Sequence, residues 1–233
     1  MGTKPTLILL PGQLCDAALW TAQLGSLRDV ADMVVGDLTL DDTVEAMAER
    51  VLAAAPPRFA LCGLSLGGYV AFELLRRAQS RVTHLALMNT SARADAEEQA
   101  RRRERSLRAI QIGTFKGVTP RFLPTIIHPV HAADPAMAKI VLEMTERVGR
   151  VAFEKQQHAA ITRPDSLALL PGVGCPTLVI GGRQDRVTPP ILQDEIAAGI
   201  SGARLEILDV CGHLAPIEQP ESVNRLVRDW LRG

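Results

Sequence analysis

The sequence predicts an α/β fold in which a mostly parallel, doubly wound sheet carries helices on both faces. Three observations carry that prediction. Apolar runs of strand length alternate with amphipathic helical patterns over the first ninety residues, a rhythm that implies right-handed crossovers between parallel strands. The rhythm stops near residue 91, gives way to helix-like patterns as far as residue 162, and then resumes. Finally, Gly63-Leu64-Ser65-Leu66-Gly67 sits between an apolar run and an amphipathic one, where a tight strand-to-helix turn needs glycine.

The first strand is 6–10, a continuous apolar run between Pro5 and Pro11-Gly12, which suits a strand buried on both faces. Asp16 is positioned to cap a helix that starts at Ala17 and carries Leu19, Trp20, Leu24 and Leu27 on one face. A short strand follows at 31–35 and a helix at 43–55, which Pro56-Pro57 ends. Residues 59–62 form the strand before Ser65, 69–78 the helix after it, and 83–88 the next strand. Helices are predicted at 94–112, 122–127, 135–148 and 150–161, with glycines and prolines between them. The α/β rhythm returns with strands at 177–180 and 204–208 and helices at 190–200 and 220–232. The chain therefore divides into a core, 1–90 and 163–233, and a helical insertion, 91–162, within a single domain.

Composition excludes several functions. With 26 Lys+Arg against 26 Asp+Glu the formal net charge is zero, so no global field draws the protein to nucleic acid or an anionic membrane. The apolar run at 6–10 is too short for a signal-peptide core, and no run approaches the roughly 18 residues of a membrane span. The cytoplasm is the expected compartment. Cys15, Cys62, Cys175 and Cys211 lack metal-type spacing and are expected to be reduced, buried thiols. His128, His131 and His158 fit no common metal site either, so neither a metal nor a cofactor is expected.

A serine hydroxyl becomes nucleophilic only when a base takes its proton, and that base needs an orienting acid. Two later loops offer partners for Ser65. Asp185 lies just past the strand at 177–180, and His213 just past the strand at 204–208. Strand carboxyl ends in a parallel sheet share one rim, so both are expected beside Ser65. Taken alone, Asp185 next to Arg186 reads as a solvated ion pair, and a lone histidine as a locally satisfied one. Together, and in this order, they read as catalytic. Asp209 is a rival acid but lies too near His213 in sequence to approach the ring from behind, and the loop after 83–88 holds Asn89 rather than an acid.

The segments Leu9-Leu10-Pro11-Gly12-Gln13…Trp20, Gly63 to Gly68, Pro176 to Gly181 with Asp185 and Thr188-Pro189, and Gly212-His213-Leu214…Glu218-Gln219-Pro220 resemble the α/β-hydrolase superfamily. Within it the chain is similar to small bacterial serine carboxylesterases. The resemblance spans nearly everything but the insertion. It implies an α/β-hydrolase fold with a helical cap inserted after the sixth strand. It also implies Ser65 as nucleophile, His213 as general base and then acid, and Asp185 as its orienting partner. By the same resemblance, the backbone N–H groups of Gln13 and Leu66 form the oxyanion hole. The family usually has His-Gly where this chain has Pro11-Gly12, so the side-chain amide of Gln13 is expected to stand in beside the acyl pocket.

The expected reaction is hydrolysis of a small-molecule ester with an apolar acyl group through an acyl-enzyme. Carbon–carbon bond hydrolase, perhydrolase, acyltransferase and non-enzymatic receptor functions share the same residues. Haloalkane dehalogenase chemistry needs an aspartate where Ser65 stands. Two readings remain for Arg101, Arg102, Arg103, Arg105 and Arg108. Pairs such as Glu97–Arg101 suit a solvated, self-paired helix face. Alternatively, the arginines form a handle for an anionic substrate such as a carrier-protein or coenzyme A-linked acyl group, since related carboxylesterases dock acidic carrier protein on a basic cap.

Overall fold

The computed structural model describes residues 4–113 and 115–233. Its strands are β1 (Thr6–Leu10), β2 (Asp32–Val35), β3 (Phe59–Leu64), β4 (Val82–Met88), β5 (Thr177–Gly182) and β6 (Arg204–Leu208). They form one sheet in the order β2-β1-β3-β4-β5-β6, and every pairing is parallel. The helices are α1 (Thr21–Ser26), α2 (Val44–Ala54), α3 (Leu66–Ala78), α4 (Glu97–Ile112) and α5 (Leu123–Ile126). After them come α6 (Pro129–Ala132), α7 (Pro135–Thr162), α8 (Pro190–Gly199), α9 (Ala215–Glu218) and α10 (Pro220–Arg232).

Alternate strand side chains feed opposite faces of the sheet. Ile8, Leu10, Leu61, Leu85, Leu87 and Val179 pack with buried side chains of α2, α3 and α8. Leu7, Leu9, Cys62, Met88, Leu178 and Ile180 pack on the other face with Trp20, Leu27 and the α10 residues Val223, Leu226 and Val227. Fully burying each such aliphatic side chain contributes about 1.5–3 kcal/mol. The double layer holds the strand ends rigidly, so the loops beyond β1, β3, β5 and β6 share a fixed rim.

The helical segment leaves the sheet after β4, the fourth strand, and not after the sixth. Residues 4–88 contain only four runs that form strands, and both remaining strands follow the segment. Other differences are local. α3 begins at Leu66, three residues before the amphipathic pattern does. Gly67 and Gly68 weigh against helix by propensity, but close packing requires them. A Cβ on Gly67 would stand 2.2 Å from the Leu10 carbonyl oxygen, and one on Gly63 would stand 2.4 Å from the Gly67 carbonyl oxygen.

The two helices expected at 135–148 and 150–161 are one run, α7, broken where Gly149 takes φ 73°. β5 extends through Gly181 and Gly182, because a Cβ on Gly182 would collide with Gly212 on the neighbouring loop. All four cysteines are free thiols. Burial pushes the Cys15 thiol up to about 12 and those of Cys62 and Cys211 up as well, which makes them poor nucleophiles. No helix among the described residues is long and apolar enough to cross a membrane.

Candidate active site

Ser65 occupies the single residue between β3 and α3. Its backbone takes φ 54° and ψ −112°, a region that costs about 1–3 kcal/mol for a residue with a Cβ. Surrounding bonds hold the strained peptide. Ser65 N–H donates to Met88 O at 3.0 Å, while Ser65 O accepts from Gly68 N–H at 2.9 Å and the Thr90 hydroxyl at 2.8 Å. The turn lifts the serine side chain out of the sheet and into a cavity of about 970 Å³, its open mouth included.

His213 lines the same cavity. Its ring Nδ1 lies 2.8 Å from Asp185 Oδ2, and both side chains are buried. With Nδ1 engaged by the carboxylate, Nε2 is the nitrogen left to exchange a proton. Among the described residues no hydrogen bond joins the Ser65 hydroxyl to the ring; such bonds often tighten only when substrate arrives.

Asp185 is not the solvated partner of Arg186. Its Oδ1 accepts the N–H groups of Val187 at 2.8 Å and Thr188 at 2.9 Å. Its Oδ2 accepts the Thr188 hydroxyl at 2.7 Å and the Asn89 amide at 2.9 Å, besides facing His213. Asp209, the rival acid, is largely exposed and pairs with Arg183.

Burial pushes the Asp185 carboxyl up, but the His213 charge and the bonds from His213, Thr188 and Asn89 outweigh it. They hold the group below the usual carboxylate range. Its folded pKa is therefore lower than its unfolded one. The associated stability is present above about pH 4 and is lost as pH falls through the folded value. Urea titrations should accordingly show the stability advantage of the wild type over Asp185→Asn shrinking below about pH 4. An advantage unchanged by acid would contradict this.

Three groups escaped the sequence reading. Asn89 takes φ 45° directly after β4, and its amide bridges Asp185 Oδ2 and Gly212 O, the latter at 3.1 Å. Read in sequence only as a missing acid, it is a donor to the acid in the loop after the next strand. Thr188 donates to the same carboxylate and lies 3.2 Å from His213 Nδ1. Glu218, recognised only as part of a motif, has a fully buried side chain that braces the histidine loop. Its oxygens accept the N–H groups of Gly212 at 2.8 Å, Leu214 at 2.9 Å and His128 at 2.7 Å.

The backbone N–H groups of Gln13 and Leu66 have no partner among the described residues. Leu66 begins α3, where the first N–H groups lack intrahelical acceptors. Gln13 and Leu66 both line the cavity, and Gln13 Nε2 is a buried donor without a partner. His128, His131 and His158 sit as follows: the His131 ring approaches Glu218 at 3.2 Å, His128 caps α6, and His158 is exposed.

The chain is similar to known proteins in sequence and fold. A pimeloyl-[acyl-carrier protein] methyl ester esterase of Neisseria meningitidis is 27% identical over 198 residues, which cover 82% of this chain and 62% of that protein. The chain thus spans less than two thirds of that relative's length. The protein of the same name from Aromatoleum aromaticum is 27% identical over 258 residues, 99% of each chain. Among solved structures, a thermophilic esterase from Thermogutta terrifontis, with malate bound, superposes with a TM-score of 0.89. It is 29% identical and covers 100% of this chain and 91% of that one. The alpha/beta hydrolase family matches residues 8–226, nearly the whole sequence, and the chain belongs to that family.

Proposed function

We propose that this member of the alpha/beta hydrolases is a serine carboxylesterase. The observation that carries the reading is the buried Asp185–His213 pair, 2.8 Å apart, opening on the same cavity as the strained Ser65. In the proposed reaction His213 Nε2 takes the Ser65 hydroxyl proton as Oγ attacks the ester carbonyl. The Gln13 and Leu66 N–H groups stabilise the oxyanion. Asp185 stabilises the imidazolium, which returns its proton to the departing alcohol. An acyl-serine remains. Water, deprotonated by His213, then releases the acid and restores the hydroxyl. Each oxyanion donor is worth about 2.7–4 kcal/mol of transition-state stabilisation.

Residues 91–162 serve in this reading as a cap over the rim, contributing Ile126, Val141 and Thr145 to the cavity wall. A carrier-linked acyl group is among the substrates to be tried, on the strength of what the Neisseria and Aromatoleum relatives are named for. A fluorophosphonate probe is expected to add covalently to Ser65, located by peptide mass mapping. Labelling that Ser65→Ala fails to abolish, or no labelling together with no turnover of any short ester, would reject the reading in favour of another nucleophile or a binding role.

A further inference from the structure

The five arginines of α4 divide by direction. Arg101 pairs with Glu97 and Arg108 with Glu104, both among exposed groups, so these two behave as a solvated face. Gln99, Arg102 and Arg103, spaced three and four residues apart on one helix face, line the cavity that holds Ser65. The titratable groups on its wall are His213, Cys15, Tyr69, Asp95, Arg102, Arg103 and Arg163. Asp95 is the one carboxylate among them, and two guanidiniums already share it. Its Oδ2 accepts from Arg103 at 2.7 Å and its Oδ1 from Arg163 at 2.6 Å.

Arg163 is spent on structure. It also donates to the carbonyls of Arg93 and Ala160 and lies 4.0 Å over the Tyr69 ring. Arg102 is different: among the described residues it has no ion pair. Beside it, Gln99 uses Oε1 to accept the Ala96 N–H at 3.0 Å, which leaves its Nε2 able to donate. Three guanidiniums against one carboxylate give this end of the cavity an excess of two positive charges. The apolar side chains Val118, Ile126 and Val141 line the same cavity.

From this wall we infer a subsite for a carboxylate: Arg102 and Gln99 bind a free acid group carried by the ester, while Arg103, already bonded to Asp95 Oδ2 and Gln157 Oε1, adds positive charge beside it. The inference rests on the serine-esterase reading above and narrows its substrate class to half-esters of dicarboxylic acids. A guanidinium fork matches a carboxylate in two parallel bonds, and because Arg102 is exposed, salt and water compete with that pair.

The test compares monomethyl with dimethyl esters of the linear dicarboxylic acids from succinate to suberate, followed by proton release. For the best chain length, kcat/KM is expected to favour the charged monomethyl ester by about tenfold, less in high salt. Arg102→Ala should collapse that ratio, chiefly through KM, whereas Arg105→Ala, on the same helix but outside the cavity wall, should preserve it. Equal handling of both esters by the wild type, or a ratio that survives Arg102→Ala, overturns the subsite and leaves the esterase reading intact. Where neither ester turns over, calorimetric titration with adipate decides the matter. Binding weakened by Arg102→Ala supports the subsite even as the esterase reading falls, and no binding overturns it.

Discussion

Replacing Ser65 with alanine is expected to lower kcat for a short p-nitrophenyl ester by about ten-thousandfold to a millionfold. The variant keeps the oxyanion donors and the cavity, so a residual rate above that of water should persist, and a circular-dichroism spectrum should be unchanged. No neighbouring group is equipped to take over. Cys15 lines the cavity, but burial holds its thiol protonated up to about 12. A loss of less than about tenfold would mean that attack comes from water or another side chain, and the proposed acyl-serine would be wrong.

The second large effect is expected at Glu218, which touches no substrate. Glu218→Ala would leave the N–H groups of Gly212, Leu214 and His128 without their acceptor, in a region with little access to water. Each buried orphan donor costs about 1–3 kcal/mol, and the sum expected in urea unfolding is roughly 3–5 kcal/mol. Gly212 and Leu214 flank His213, so kcat should also fall, by about tenfold or more, in the fraction that remains folded. Glu218→Gln retains one acceptor oxygen and should lie between. A destabilisation below about 1 kcal/mol would show that the loop holds its shape through other contacts.

The sheet was legible because fully buried parallel strands read as unbroken apolar runs, which β1, β3 and β5 do. The three candidate catalytic residues were legible because each follows a strand, and Ser65 and His213 also stand beside glycines that close packing demands. What stayed hidden depends on three-dimensional direction. Asn89 and Asp185 are 96 residues apart, and only the pairing of β4 with β5 brings them together. The rotation of α4 about its axis, which puts Arg102 but not Arg101 on the cavity wall, is set by tertiary packing and not by charge pattern. The start of α3 was missed because propensity penalises the Gly67-Gly68 pair that the Leu10 and Thr90 contacts require.

The His213 N–H donates to Ile126 O at 2.8 Å, and Glu218 ties the His213 loop to the backbone at His128. The His213 loop is thus stitched to the helical segment as well as to the sheet. For protein engineering this removes a common assumption, that such a segment is a module exchangeable at its two ends. A chimera joined at residues 91 and 162 would import a stranger's backbone at 126–128 and with it a new seat for the imidazole. Substrate preference and proton transfer would then change together, unless the graft kept those three residues and the carboxylate that grips them.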